Sequence, residues 1–452
     1  MTGRRVAIWT TISSLIAATF QLGLMMVAAR HMQLADFGLL AVVNSVAAVI
    51  LGLQELGLSS YCIHVGEQTH RQHATLFWVS TGLAGCAALL LCALALPLSI
   101  FFRVPSLPPY FYWLSLNLLL VGASAQLQAN FIRIMKADVV AKIEMAARLL
   151  SFSFSSALMF AGVGGVVAIV AGMLLFSLFK LCVLLYVAEP HWLPMWVFEK
   201  ELARKALSYG AYQGGAQLIN QLRTRLDVMI VSRMLGQEIV GLYSLARDLL
   251  DYPMRIFQPL MGRLLLPKLA VAQRDPVALE KLYVGGLRLT AWMAVAVYAL
   301  VGVFAVWEVE IIYGAKFTAV AGVLPGLLVY AVLRPLGNNA GMLAQATGRT
   351  SVEFMWNLIG ALIMTAGLVL VGWLSPNVYG FAIGLSVIQT FIMLAVFPCF
   401  VRPLIKIGFA SYVATWIFPL LATLLVALVC RHIHLPLLSE LIGKIHALRT
   451  GP

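Results

Sequence analysis

Apolar runs of about 20 residues follow one another along the chain, separated by short polar stretches. At 1.5 Å per residue, such a run makes a helix that crosses a hydrocarbon core of about 30 Å. A membrane barrel would instead alternate apolar and polar positions over segments of about ten residues. The pattern predicts thirteen spans, over residues 6–29, 37–57, 74–101, 110–134, 143–161, 163–188, 208–234, 239–262, 284–306, 319–346, 352–373, 378–400 and 411–432. The first is one member of this regular series, not a cleaved signal peptide. The longest connections, 189–207 and 263–283, hold at most an interfacial helix each.

The polar positions inside the runs are organised. Span seven carries Gln213, Gln217, Asn220, Thr224 and Asp227 in steps of three and four, one stripe of a helix, with Arg223 and Arg225 beside it. Span eight carries Arg247, Asp251 and Arg255 one turn apart, with Asp248 alongside, and span ten carries Arg334, Asn338 and Gln345. Span four repeats the theme weakly with Asn117, Ser124 and Gln128. A charge at a helix centre costs roughly 2.5–3.5 kcal/mol on insertion, so each of these requires a reason.

Two reasons compete. The residues either neutralise one another and hold helices together, or line a water-filled cavity. Five arginines (Arg223, Arg225, Arg247, Arg255 and Arg334) face three aspartates (Asp227, Asp248 and Asp251), an excess of positive charge that packing alone does not require. The excess favours a cavity that takes an anion. A guanidinium stays charged and grips phosphate oxygens with two prongs. Gln217, Asn220, Asn338 and nearby Tyr209, Tyr212 and Tyr252 would then meet sugar hydroxyls and faces. Asp227, Asp248, Asp251 and Glu55, the last at the end of span two, are the candidates for ion coupling. Spacing leaves Arg334 with no acid within four positions, so it is expected to be a ligand, whereas Arg255 is expected to pair with Asp251.

Composition agrees with the spans. Hydrophobic residues make up 62% of the 452 and charged residues 11%, which excludes a water-soluble enzyme of this size. The net charge of +13 would suggest nucleic acid in a soluble protein. Here the basic residues lie between spans: with the N-terminus cytoplasmic, nineteen of the 31 fall at cytoplasmic ends and four outside. That asymmetry predicts N-in topology and leaves nucleic acid without a role. The six cysteines lie mostly in apolar runs with no metal spacing, and His64, His70 and His73 read as a solvated loop. No metal and no cofactor is expected. GxxxxGK[ST], HExxH and GxSxG are missing, so neither a nucleotide motor nor an enzyme is expected.

Two hairpins match at an offset of 203 residues: Arg30 with Gly38-Leu39, and Arg233 with Gly241-Leu242. Each opens a six-span half. An even number of spans per half makes the halves parallel repeats about an axis along the membrane normal. The expected architecture is therefore all-α and polytopic, with two parallel six-helix lobes around a central cavity and one extra C-terminal span. Its parts would be residues 1–188, an amphipathic cytoplasmic linker over 189–207, residues 208–400, and a span and tail over 401–452.

The same segments carry a family resemblance. Residues 30–60, RHMQLADFGLLAVVNSVAAVILGLQELGLSS, are similar to the opening hairpin of the polysaccharide transporter (Wzx-like oligosaccharide flippase) family. LDVMIVSRMLGQEIVGLYSLARDLLDYP with LLLPKLAVAQRD resembles the start of its second lobe, and residues 311–350 resemble its tenth span. That family lies in the multidrug/oligosaccharidyl-lipid/polysaccharide (MOP) flippase superfamily, with a MATE-like fold. The resemblance implies a non-enzymatic flippase of undecaprenyl-diphosphate-linked oligosaccharides in a bacterial cytoplasmic membrane, serving O-antigen or exopolysaccharide synthesis. It implies the lipid-linked oligosaccharide, the bilayer and a polysaccharide polymerase or other assembly protein as partners. A cation-coupled multidrug exporter, a lipid II flippase and a membrane scaffold remain the alternatives; the exporter would favour carboxylates and aromatics over arginines in its cavity.

Overall fold

The computed structural model describes residues 2–54 and 69–432. Among them are thirteen α-helices: α1 (Thr2–His31), α2 (Leu34–Gln54), α3 (His70–Phe102), α4 (Leu107–Arg133), α5 (Ala137–Phe160), α6 (Gly165–Val187), α7 (Lys200–Leu235), α8 (Gln237–Ala272), α9 (Pro276–Ile312), α10 (Ala319–Ala346), α11 (Thr350–Leu374), α12 (Val378–Val396) and α13 (Phe409–His432). Within the described residues each predicted span overlaps one of these helices; residues 55–57 of the second lie outside them. Nine of them, among the described residues, are long and apolar enough to cross a membrane. The chain is an all-helical, polytopic membrane protein.

The helices outrun the spans. α3, α7, α8 and α9 hold 33, 36, 36 and 37 residues. An apolar run reports where lipid ends, whereas a helix ends only where its backbone is capped or broken. Thr69 starts α3 with a capping box: its hydroxyl accepts from Gln72 N while its own N donates to Gln72 Oε1 at 3.0 Å. Gly236, at φ 86°, separates α7 from α8 in a conformation that side-chain-bearing residues rarely adopt.

α5 shows the difference best. It begins at Ala137, six residues before the predicted span, because Asp138 and Lys142 pair one turn apart (3.7 Å) instead of ending the helix. Arg148 consequently sits halfway along α5.

The chain forms two compact units. Unit 1 holds the chain to Leu245 with Ile312–Gly314 and Asn357–Val378; unit 2 holds Ala246–Ile311, Ala315–Trp356 and the chain from Tyr379. Within unit 1, α3 packs on α4, α5 on α1 and α6, and α2 along α7. Within unit 2, α10 packs on α13. Large side chains such as Leu89, Ile100, Trp373 and Phe418 are exposed, as expected of surfaces facing lipid.

The two matched hairpins meet inside unit 1. A Cβ added to Gly38 would fall on the carbonyl oxygen of Gln237 and 3.1 Å from Gly241 N. One added to Gly241 would fall on the carbonyl oxygen of Leu34 and 3.1 Å from Gly38 N. The contact is reciprocal at the offset of the repeat, as a local two-fold axis requires. Only glycine at both positions lets the backbones of α2 and α8 approach this closely.

The segment before α7 is not the amphipathic helix expected over 189–207. Pro190 opens a single 3-10 turn to Trp192, and the chain then runs extended past Pro194 until α7 begins at Lys200. It is strapped onto α3. His70 Nε2 meets Leu193 O at 3.1 Å, Trp78 Nε1 donates to Met195 O at 2.7 Å, and Glu199 N donates to Thr75 Oγ1 at 3.0 Å. Trp192 is buried among Leu127, Phe131, Val140, Ile143 and Leu184. Trp192→Ala is expected to cost about 3–5 kcal/mol, the loss of a buried large aromatic. Trp196→Ala, at a side chain 90% exposed on a stacked Trp78, is expected to cost far less. Equal drops in melting temperature of the purified variants would contradict the strap.

Candidate functional site

Unit 2 gathers charge from two helices whose stripes were read separately. α8 contributes Arg247 and Asp251 one turn apart; α10 contributes Tyr330 and Arg334, also one turn apart. Arg334 Nη1 donates to Asp251 Oδ1 at 2.8 Å, and Arg247 Nε approaches Asp251 Oδ2 at 3.9 Å. Arg247 Nη2 donates to Tyr330 OH at 3.3 Å. Both guanidinium carbons lie over the Tyr330 ring, at 5.8 Å for Arg247 and 5.5 Å for Arg334. Two cations thus converge on one carboxylate and share one aromatic ring.

The backbone explains the position. Gly326 lets α12 approach α10 so closely that an added Cβ would lie 2.9 Å from Ala382 Cβ. Ser386 of α12 accepts from Tyr330 N at 3.2 Å and donates to Gly326 O at 2.6 Å, holding the turn that presents Tyr330. Tyr298 of α9 donates to Leu250 O at 2.8 Å and pins α8 beside Asp251. Arg247 is 4% exposed, whereas the side chains of Asp251 and Arg334 are 21% and 28% exposed. Asp251 and Arg334 are the reachable members.

The premise that Arg334 has no acid needs correction. Its own helix supplies none, but α8 does, at charge-assisted hydrogen-bond distance. Asp251 therefore serves Arg334 across helices besides Arg247 along its own. Tyr330 was not singled out by the sequence; its spacing of four from Arg334 was the available signal. Asn338 is exposed on α10, while the adjacent Asn339 is buried and donates to Thr290 Oγ1 at 3.0 Å. Gln345 leaves the stripe to meet Glu353 of α11 at 3.1 Å.

The span-seven residues form their own group in unit 1. Asp227 is fully buried and accepts from Tyr243 OH at 2.8 Å. Arg223 donates to Asn220 Oδ1 at 3.4 Å, with its Cδ against Gly360. Arg225 is half-buried, as is Asp248 in unit 2. Glu55 lies outside the described residues, and so do the side chains of Gln217 and Arg255.

Comparison with known proteins fixes the family. The family described as polysaccharide biosynthesis protein matches residues 27–322. The chain belongs to that family. Its similarity to the amylovoran biosynthesis protein AmsL of Erwinia amylovora is 35% identity over 80% of this chain and 92% of that protein. With the lipopolysaccharide biosynthesis protein WzxC of Escherichia coli (strain K12) it shares 25% over 91% of this chain and 83% of the relative. The fold of this polysaccharide biosynthesis protein matches the lipid II flippase MurJ in an inward closed conformation. There the TM-score is 0.66 at 13% identity, covering 97% of this chain and 99% of that one. It also matches an inward-facing multidrug resistance MATE family transporter of the MOP superfamily, with a TM-score of 0.63 at 14% identity over 92% and 98%. The chain is thus a membrane protein of the polysaccharide biosynthesis family with the fold of these two structures.

Proposed function

We propose that this protein flips undecaprenyl-diphosphate-linked oligosaccharide units across a bacterial cytoplasmic membrane for surface polysaccharide synthesis. One observation carries the reading: Arg247 and Arg334 converge on Asp251 and Tyr330 inside unit 2. An arriving diphosphate offers these guanidiniums more acceptor oxygens than one carboxylate does, in a geometry that suits their planar forks. Tyr330 supplies an aromatic face for cations and sugars alike. The relatives' names, which concern amylovoran and lipopolysaccharide synthesis, support a glycan cargo, and the MurJ-like fold supports flipping.

In this reading residues 1–188 and 208–400 act as two lobes that rock about a central cavity, with residues 401–452 outside the transport core. The lipid tail stays in the bilayer while glycan and diphosphate cross through protein. The N-terminus is cytoplasmic, because the basic residues then crowd the cytoplasmic ends. Asp227, Asp248, Asp251 and Glu55 are the groups that would couple an ion, and a polysaccharide polymerase or other assembly protein receives the product. Arg223, Arg225, Arg255, Gln217, Asn220 and Asn338 complete the proposed substrate path.

The test is genetic and chemical together. Cells lacking the protein should accumulate lipid-linked glycan on the inner leaflet. Arg334→Lys and Arg247→Lys should keep normal membrane levels yet deliver glycan about tenfold or more slowly, since lysine retains charge but loses the fork. Normal delivery by Arg334→Ala would sink the reading.

A further inference from the structure

A further cation lies halfway along a helix of unit 1 and takes no part in the groups described above. Arg148 is the twelfth of the 24 residues of α5, about 16 Å from the Ala137 end at 1.5 Å per residue. α5 is among the helices long and apolar enough to span a bilayer. Phe176, which Arg148 faces, is in turn the twelfth of the 23 residues of α6, another helix of that kind. The Arg148 guanidinium carbon stands 5.2 Å from the Phe176 ring centroid on α6. Its Nε is buried and has no hydrogen-bond partner among the described residues.

The acid one turn away is already committed. Glu144 accepts from Lys180 of α6 at 2.7 Å, in a pair whose side chains are 13% (Lys180) and 25% (Glu144) exposed. Glu144, Lys180 and Arg148 together carry one excess positive charge. Ser151, next on the face of Arg148, spends its hydroxyl on Gly172 O at 2.7 Å. Ser155, two turns from Arg148 on the same face, keeps a buried hydroxyl without a partner among the described residues. α5 and α6 are thus locked by a carboxylate–ammonium pair and a serine bond, while the one deep guanidinium is left out of the lock. A packing role would have used it.

We infer that Arg148, seated on Phe176 beside the Glu144–Lys180 pair, is a binding site in unit 1 for the phosphate oxyanion of a lipid-linked ligand. The aromatic ring holds the guanidinium from one side and leaves its N–H groups to an oxyanion. The inference rests on the flippase reading for the identity of that ligand, the diphosphate carrier; a phospholipid headgroup offers the same chemistry. It adds a phosphate contact that the excess-charge argument, confined to spans seven to ten, did not include.

An unliganded cation kept for binding is a stability cost, and this separates binding from structure. Purified full-length protein in detergent is titrated with farnesyl diphosphate, farnesol and phosphatidylglycerol while thermal unfolding is followed. Arg148→Gln should melt higher than wild type without ligand. Farnesyl diphosphate should stabilise wild type, farnesol should not, and in Arg148→Gln the apparent Kd for the diphosphate should rise about tenfold or more, the loss of one charge-assisted hydrogen bond. A lower melting temperature for ligand-free Arg148→Gln, or an unchanged Kd, overturns the inference. Phosphatidylglycerol binding as tightly as the diphosphate, and as dependent on Arg148, assigns the site to headgroups and overturns its link to substrate. Arg334→Gln is run in parallel. Weakened diphosphate binding in Arg334→Gln alone overturns the Arg148 site and leaves the proposed function standing; weakened binding in Arg148→Gln alone supports the site and removes the unit 2 cluster from phosphate binding.

Discussion

Gly38→Ala and Gly241→Ala are expected to damage the protein severely and to nearly the same extent. Each new methyl meets a backbone carbonyl of the other helix, Gln237 O in one case and Leu34 O in the other. A flexible side chain would swing aside, but a backbone carbonyl moves only with its helix. Overpacking costs typically 1–3 kcal/mol, and rigid atoms on both sides place these variants near about 3 kcal/mol. The double variant should cost less than twice as much, because the first methyl already separates α2 from α8. Gly285→Ala, where an added Cβ meets nothing within 4 Å, is the control and should be near neutral. Thermal melting and membrane abundance of the four variants decide the matter. A wild-type melting temperature for either Gly38→Ala or Gly241→Ala would show that the close approach is not required.

Asp251→Leu is expected to be the most disruptive single change in unit 2. It leaves Arg334 without its 2.8 Å partner and Arg247, 4% exposed, without the carboxylate one turn on along α8. Breaking a buried pair from one side costs about 3–5 kcal/mol, since a desolvated charge remains. Adding Arg334→Leu should recover part of the lost abundance, because the second charge goes with the first. Glycan delivery should stay impaired in both variants. Measuring the two singles and the double yields a coupling energy, and simple additivity would mean that Asp251 and Arg334 do not act as a pair.

The stripes on spans seven, eight and ten were legible because a helix repeats every 3.6 residues and polar residues are rare in lipid-facing sequence. Partners were not. Asp251 and Arg334 are 83 positions apart, and nothing in the spacing of α10 announces an acid on α8. The absence of an acid within four positions of Arg334 holds along α10, yet Asp251 reaches it from α8, a pairing that the separate stripes of spans eight and ten did not announce. α5 outran its predicted span for a different reason. Charges at Asp138 and Lys142 look like a loop when only apolarity is followed, yet as an i,i+4 pair they extend the helix and carry Arg148 to its middle.

What the sequence determined by itself was the class of molecule: successive apolar runs of bilayer length require helices that satisfy their own backbone hydrogen bonds. The repeat at Gly38 and Gly241 was also written in the chain, as matched local pattern. The tertiary structure decided which repeats touch, which charges pair and which cation is left without a partner among the described residues. It placed the two glycines against each other's backbone, gave Asp251 to Arg334, and closed Glu144 on Lys180 beside Arg148. The physical reason is range. Burial and helical period act over a few residues, so they can be read locally, whereas close packing and charge pairing depend on helices that meet only after the chain has folded.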